Sequence, residues 1–207
     1  RRPDAVSALE LDKAKVCVQK GTTSELNLPD YFHFNSMTLD LHAFDTVEEA
    51  VKALDSGACD VFTADQSALY AVRTTLSKPE DAVILPDVIS KEPLGPVVRG
   101  DDVAWFNLVK WVAFGLVDAE ELGVTSRNLD RALLSVKPEV RRLTGADGGF
   151  GAKLGVDNAF MLHAVKAVGN YGEIFERNLG KGTKIGFERG HNRLWTQGGL
   201  LYSPPFR

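Results

Sequence analysis

The sequence has no excess of basic over acidic residues, no long run of apolar residues and no recognisable signal peptide. Its 24 Lys and Arg residues are outnumbered by 28 Asp and Glu residues, which gives a formal net charge of −4. Binding to a phosphate backbone requires a basic surface, so this balance argues against nucleic acid as a main partner. No stretch of about 18 apolar residues predicts a membrane span. No signal peptide is visible either, but an exported protein loses its signal peptide, so the compartment stays open.

Common catalytic and metal-binding motifs are also missing. None of the four histidines stands beside a Ser or Cys in a nucleophile motif, and neither G-x-S-x-G nor H-E-x-x-H occurs. No spaced set of carboxylates suggests a metal site. The sequence therefore predicts a protein that is not an enzyme and that uses no metal or cofactor.

Cysteine is scarce, with only Cys17 and Cys59, and these two do not form a C-x-x-C pair. Zinc binding is not indicated, because no Cys/His cluster has the required spacing. The residues alone leave two interpretations open. The cysteines are either two buried thiols in a cytosolic protein or a single disulfide in an oxidising compartment.

The first part of the sequence alternates between strand and helix patterns. Short apolar runs predict strands at 15–19, 39–43, 59–63 and 83–85, separated by helices at 24–35, 47–56 and 66–76. This alternation predicts an α/β fold with a doubly wound, mainly parallel sheet. A flavodoxin-like strand order would make the first and third strands neighbours, with ligands bound beyond the carboxyl ends of the strands.

The composition changes at Lys91-Glu92-Pro93-Leu94-Gly95-Pro96, where two prolines flank a glycine and predict a stiff crossover. Beyond it, helices are predicted at 103–121, 125–135, 138–143 and 157–168, with one short strand at 95–99. A run of helices with a single strand is typical of half a domain.

A candidate anion site lies between the first strand and the first helix. Gly21 allows a sharp turn into the helix, and Thr22, Thr23 and Ser24 add hydroxyl donors at its N-terminus. The N-terminus of a helix carries unpaired N–H groups and a partial positive charge, which together favour an anion. The alternative is an ordinary N-cap made by one of the three hydroxyl groups.

Asp65 follows the third predicted strand and is expected to face the same cleft. A carboxylate only accepts hydrogen bonds, so it repels a nearby anion unless a cation lies between them. A ligand with a carboxylate and an ammonium group on neighbouring atoms satisfies both features, and the α-amino-acid backbone is such a ligand. The alternative role for Asp65 is the N-cap of the helix that follows it.

Five segments together resemble one known family. They are KVCVQKGTTSELNLPDYF, SGACDVFTADQSALYA, LPDVISKEPLGPVVRGDD, VGNYGEIFERNLG and LWTQGGLLYSPPFR. They resemble the periplasmic binding proteins of general L-amino-acid ABC transporters, and the resemblance runs along nearly the whole chain. The GTTSE and TADQS elements are shared by amino-acid-binding proteins broadly, whereas the last two segments are specific to this subfamily.

The resemblance implies a two-lobed protein that closes on its ligand about a hinge. It implies that Thr22 and Thr23 hold the ligand carboxylate and that Asp65 holds the α-ammonium group; with Gly21 they form the predicted ligand-binding set. An arginine of lobe one would complete the clamp, but no segment here matches the first half of that lobe. Residues 8–92 are expected to be a complete lobe two of the periplasmic-binding-protein type. Residues 93–207 are expected to be a largely helical C-terminal remnant of lobe one with a helical and loop extension.

The resemblance also implies partners and a compartment. The ligand is an L-amino acid, delivered to a membrane permease of an ABC transporter, and the protein is periplasmic. An exported protein favours a disulfide between Cys17 and Cys59. Binding is expected to be impaired without the arginine, and the uncovered apolar surface of the remnant predicts a homodimer or a domain swap.

Two rival functions stay open. One is an enzyme on the same scaffold, similar to cyclohexadienyl dehydratase, which requires a general acid in the cleft; only Asp65 could serve. The other is the effector domain of a transcriptional regulator, which would need a helix-turn-helix segment, and none is visible.

Overall fold

The structure, a computed structural model, describes residues 4–207. The chain divides into two compact units, Arg1–Leu94 and Gly95–Arg207. The predicted boundary lies between residues 92 and 93, and the assignment of the two units to lobes stays a prediction.

The first unit is a parallel sheet flanked by helices. In chain order it contains β1 (Lys15–Gln19), α1 (Thr23–Phe34), β2 (Asp40–Phe44), α2 (Val47–Ser56), β3 (Val61–Phe62) and α3 (Gln66–Arg73), with short 3-10 helices at Ala8–Glu10 and Pro79–Asp81. The strand order is β2-β1-β3, and both neighbours of β1 run parallel to it. The predicted α/β class is therefore confirmed, and the first and third strands are neighbours as expected.

The central strand β1 buries side chains on both of its faces. Val16 and Val18 pack in one cluster with Leu28 and Phe32 of α1. Cys17 packs in a second cluster with α2 and α3. Since successive strand residues point to opposite faces, three consecutive apolar residues supply both cores. It follows that α1 lies on one face of the sheet and that α2 and α3 lie on the other.

Cys17 and Cys59 form a disulfide, with their Cα atoms 5.9 Å apart. Both cysteines are fully buried. Cys17 belongs to β1, and Cys59 comes shortly before the neighbouring strand β3. The disulfide implied by the resemblance is therefore confirmed.

Helix α2 begins and ends at the signals that the sequence carries. The Thr46 hydroxyl accepts from the N–H of Glu49 at 3.2 Å, and the Glu49 carboxylate accepts from the N–H of Thr46 at 3.3 Å. This reciprocal capping satisfies two N–H groups that the helix leaves unpaired. The helix ends at Gly57, whose φ of +79° lies in the left-handed region that glycine adopts without strain.

Two predicted strands are absent from the part of the chain that the structure describes. Residues 83–85 and 95–99 form no regular secondary structure. Apolar and β-branched residues favour a strand only where a neighbouring strand and a packing surface are available. Neither segment has such a neighbour among residues 4–207. Leu85 instead packs against the core on the α1 side of the sheet, and Val97 is almost fully exposed.

The second unit is built of helices, and its largely helical character is confirmed. They are α4 (Val103–Glu121), α5 (Leu129–Leu133), α6 (Pro138–Leu143), α7 (Phe150–Lys153), α8 (Phe160–Val168) and α9 (Tyr171–Asn178), with short 3-10 helices at Gly190–Asn192 and Trp195–Gln197. Helix α5 is shorter than the predicted 125–135, because its N-cap is Asn128 rather than Thr125. None of the helices within residues 4–207 has both the length and the apolarity needed to cross a lipid bilayer.

The C-terminal tail of the second unit is fixed to α4. Phe206 is buried against aromatic rings of α4, α7 and α8. Arg189 forms a nearly buried ion pair with Glu120 of α4 and donates to the carbonyl of Asn192 at 2.8 Å. A buried ion pair is tolerated only when further hydrogen bonds satisfy its remaining donors. This contact therefore holds the tail in one position.

One face of α4 stays largely uncovered. Trp105 is 52% exposed and Phe106 is 48% exposed. Beside them lies an apolar groove of about 430 Å³, lined by Trp105, Val109 and Val112 of α4 and by Phe160 of α8. The second unit therefore exposes apolar side chains of α4 around this groove, and its assignment as a lobe remnant stays a prediction.

Candidate ligand-binding site

The candidate site lies at the carboxyl ends of two neighbouring strands, where the chain continues from each strand to a helix on a different face of the sheet. β1 leads into α1, and β3 leads through Asp65 into α3. Because β1 and β3 are adjacent and parallel, their carboxyl ends meet at the same edge of the sheet. α1 and α3 then pack on opposite faces of the sheet, and we call the edge of the sheet between their N-termini the crevice. Open α/β sheets bind ligands at such a switch in topology.

Gly21 supplies the turn into α1. Its φ of +72° requires the left-handed region, which glycine adopts most readily. Its N–H donates to the Glu25 carboxylate at 2.7 Å, so this amide is already used within the helix N-terminus. Gly21 therefore shapes the mouth of α1, by which we mean residues 21–24, and its amide is not open to a ligand.

Thr22 is the N-cap of α1. Its hydroxyl oxygen accepts from the N–H of Glu25 at 3.3 Å, and its hydroxyl proton goes to the carbonyl of Gln19 at 2.7 Å. The alternative interpretation, an ordinary N-cap, therefore describes Thr22. Its hydroxyl group has no proton left to donate to a ligand.

Thr23 is exposed at the first position of α1, and its hydroxyl group is not used for capping. That hydroxyl donates to the Glu92 carboxylate at 2.8 Å. The amide N–H groups of Thr23 and Ser24 have no acceptor within residues 4–207. These two amides are the unused donors that the mouth of α1 presents to an anion, whereas the Thr23 hydroxyl is already bonded to Glu92.

Asp65 holds the N-cap position of α3, but its side chain makes no capping hydrogen bond. The predicted alternative role as an N-cap is therefore not observed. The side chain is half-buried, and no described residue donates to it or forms an ion pair with it. Asp65 is a carboxylate at the edge of the crevice with no partner among residues 4–207, so it remains available for a cation.

The charges around the mouth of α1 are mainly negative. Glu25 and Glu92 accept hydrogen bonds from it, and Asp65 follows the neighbouring strand β3 at the same edge of the sheet. The cation that precedes the mouth, Lys20, donates to Asp45 at 2.8 Å, and this hydrogen bond raises the pKa of Lys20. The arrangement suits a ligand that carries both charges better than a simple anion.

The site shows no sign of metal chemistry in the described part of the chain. Within residues 4–207, no three His, Cys, Asp or Glu side chains come together as a metal ion requires. The hydrogen bond between Thr23 and Glu92 was not predicted from the sequence. It joins residues 69 positions apart, and no local pattern indicates it.

The chain has the periplasmic-binding-protein fold, as a comparison with solved structures shows. Its structure matches that of an ABC transporter/periplasmic binding protein from Brucella ovis with glutathione bound, with a TM-score of 0.93 and 47% sequence identity. The match covers 98% of this chain and 64% of that chain. This likeness confirms the predicted periplasmic-binding-protein fold class.

The relatives in sequence carry names that specify the kind of ligand they bind. The chain is 49% identical over 203 residues to the General L-amino acid-binding periplasmic protein AapJ of Rhizobium johnstonii. It is 48% identical over 202 residues to the Putative amino-acid ABC transporter-binding protein YhdW of Escherichia coli. It is 51% identical over 202 residues to the Glutamate/glutamine/aspartate/asparagine-binding protein BztA of Rhodobacter capsulatus. No family model matches the chain.

These matches cover 97% of this chain but only 59–60% of each relative. The chain is thus homologous, along almost its whole length, to amino-acid-binding proteins of ABC transporters, and the resemblance predicted from the sequence is confirmed. These relatives are named as binding proteins rather than as enzymes. The chain spans about three fifths of their length.

Proposed function

We propose that this chain binds L-amino acids in the periplasm for delivery to the membrane permease of an ABC transporter. The observation that carries the proposal is the pairing of unused donors at the mouth of α1 with the unpartnered carboxylate of Asp65 at the next strand end. The names of the relatives support the same ligand class. Glutathione, bound in the Brucella ovis structure, also carries an α-ammonium group beside a carboxylate.

In this proposal the two charged groups of the ligand bind to different strand ends. The carboxylate accepts from the amides of Thr23 and Ser24 and from the Thr23 hydroxyl, at the positive end of the α1 dipole. The ammonium group donates to Asp65. Thr22 and Gly21 act on the ligand indirectly, because their hydrogen bonds hold the mouth in shape.

The affinity is expected to be weak. The resemblance implies a further arginine contact to the ligand carboxylate from lobe one, and within residues 4–207 no arginine forms a hydrogen bond at the mouth of α1. A charge-assisted hydrogen bond contributes roughly 1.5–3 kcal/mol, which is about one to two decades in affinity. We therefore expect dissociation constants in the micromolar range or weaker.

The enzyme alternative has less support. A dehydratase needs a general acid placed against its substrate, and Asp65 is the candidate residue in the crevice. The relatives are named as binding proteins. A turnover assay with cyclic carboxylic acids separates the two functions, and we expect no turnover.

We also propose that the chain associates with a second copy of itself, as a homodimer or a domain swap. The uncovered groove on α4 supports this part of the proposal, because exposed apolar patches of this kind drive association. Its test is given in the Discussion.

The binding proposal is tested by an NMR titration of the full chain with L-glutamine and two derivatives. N-acetylation removes the ammonium group, and conversion of the α-carboxylate to an amide removes the other charge. We expect L-glutamine to shift the Thr23 and Ser24 amide resonances and both derivatives to bind at least about 10-fold more weakly.

Asp65→Asn should weaken L-glutamine binding by about 10-fold or more, because the ammonium group loses its charged acceptor. Asp81→Asn is the matched control, since Asp81 is exposed on the 3-10 helix Pro79–Asp81 and should not affect binding. Equal affinities for the two variants would contradict the role of Asp65. Sub-micromolar binding by the unmodified chain would contradict the expected impairment.

A further inference from the structure

An internal carboxylate occupies part of the candidate anion site. The Thr23 hydroxyl donates to Oε1 of Glu92 at 2.8 Å. Thr22 gives its hydroxyl proton to Gln19, so Thr23 holds the one threonine hydroxyl of the mouth that points to a carboxylate. Glu92 therefore holds the kind of group that the proposed ligand would bring to the same donor.

The position of Glu92 is set by the segment that precedes it. Asp87 accepts from the N–H of Ala8 at 2.8 Å and from the Ser7 hydroxyl at 3.2 Å. Ile89 packs against the core on the α1 side of the sheet. These contacts hold the segment 87–89 against the first unit on the side of α1. Glu92 follows Ile89 by only three residues, so it lies within reach of α1. The contact to Thr23 is therefore part of the packed unit, even though it spans 69 residues.

We propose that Glu92 is a specificity-determining residue, an internal competitor that a ligand carboxylate must displace from Thr23. This inference rests on the proposed function, because it concerns the same carboxylate-binding donors. Glu92 and a ligand carboxylate cannot both accept from the single hydroxyl proton of Thr23. Two carboxylates at one helix mouth also repel each other, so Glu92 lowers the affinity for every ligand with a free carboxylate.

The competition selects ligands by charge. A zwitterion offsets the repulsion by donating its ammonium group to the acidic side of the crevice, whereas a simple carboxylate has no such group. A ligand whose carboxylate is replaced by an amide does not meet the repulsion at all. Removal of the charge on Glu92 should therefore favour carboxylate ligands specifically.

The test compares Glu92→Gln and Glu92→Ala with the unmodified chain in NMR titrations with L-glutamine, its α-amide and acetate. Glu92→Gln keeps an oxygen acceptor but removes the charge, and Glu92→Ala removes both. Glu80→Gln is the matched control, because Glu80 is exposed and loses the same charge. Glu92 is not part of the buried core, so both variants should fold.

We expect L-glutamine and acetate to bind about 3- to 10-fold more tightly to the two Glu92 variants, since exposed charge pairs contribute modestly. The gain should shrink in high salt, which screens the repulsion. The α-amide should show no gain, and Glu80→Gln should match the unmodified chain.

The outcomes separate this inference from the proposed function. If L-glutamine shifts the Thr23 amide in every variant but binds the Glu92 variants no more tightly, the competitor role is wrong and the binding site stands. Weaker binding by the variants would make Glu92 a direct ligand contact and would also overturn the inference. If L-glutamine shifts the Thr23 amide in no variant, the proposed function fails and this inference fails with it.

Discussion

The two units of the chain cover their apolar surfaces in different ways. In the first unit, helices from the unit itself cover both faces of β1, and Val16 and Val18 are almost completely buried. In the second unit, α4 buries Ala119 on one side but leaves Trp105 about half exposed on the other. The first unit therefore supplies its own core on both sides of the strand that leads to the candidate site, whereas the second unit leaves part of α4 uncovered.

The largest expected effect comes from removal of the disulfide in the first unit. The bond joins cysteines 42 residues apart. Closing a loop of that length stabilises the folded state by about 4 kcal/mol in the chain-entropy account. The double variant Cys17→Ala/Cys59→Ala should therefore destabilise the first unit by about 4 kcal/mol.

Hydrogen-exchange mass spectrometry of the full chain measures both units in one sample. We expect exchange to accelerate strongly in β1 and β2 and to stay unchanged in α4 and α8, which serve as the internal control. If hydrogen exchange accelerated equally in the two units, they would unfold together. Such a result would contradict the expectation that the disulfide stabilises the first unit alone.

A smaller effect is expected in the second unit at Asp118, which is only 8% exposed within α4. Burial, with a further contribution from Glu121, raises the pKa of Asp118 to about 7, against an ordinary value of 3.8. The folded state thus keeps a proton that the unfolded state has lost, and stability falls as the pH rises from about 4 to about 7.

Asp118→Asn should therefore raise the free energy of unfolding by about 1–2 kcal/mol near pH 8 and change it little near pH 5. Urea unfolding followed by tryptophan fluorescence reports this unit, since all three tryptophans lie after Gly95. Asp130→Asn, at an exposed position of α5, is the control. A gain of the same size at both pH values would contradict the raised pKa.

The smallest effect is self-association through the groove on α4. The groove is small compared with a stable interface, so the association should be weak and visible only at high protein concentration. In sedimentation equilibrium, the apparent mass should rise with concentration for the unmodified chain. It should not rise for Trp105→Lys, which places a charge in the groove.

Val136→Lys is the matched control for the groove variant, because Val136 is 90% exposed and does not line the groove. This control should associate as the unmodified chain does. If the apparent mass stayed at that of the monomer up to the highest protein concentration, the proposal of self-association would be wrong.

The fold of the first unit could be predicted wherever the signals are local. The capping box at Thr46, the left-handed Gly57 and the alternation of strands and helices each depend on neighbouring residues. The prediction of a strand at 83–85 was wrong, because a strand needs a neighbouring strand to pair with. The residues of this segment instead pack against the core or remain partly exposed.

The candidate site was predictable only in part for the same reason. Strand order placed the mouth of α1 and Asp65 at one edge of the sheet, and that expectation depends on topology alone. Which hydroxyl is available depends on contacts that the sequence does not reveal. Thr22 gives its proton to Gln19 locally, and Thr23 meets Glu92 across 69 residues.

The most direct test of the proposed binding mode is a crystal structure of this chain with L-glutamine at a saturating concentration. We predict the carboxylate of the amino acid against the amides of Thr23 and Ser24, its ammonium group against Asp65, and Glu92 moved away from the Thr23 hydroxyl. An amino acid bound elsewhere, with Thr23 still bonded to Glu92 and Asp65 still without a partner, would contradict the account.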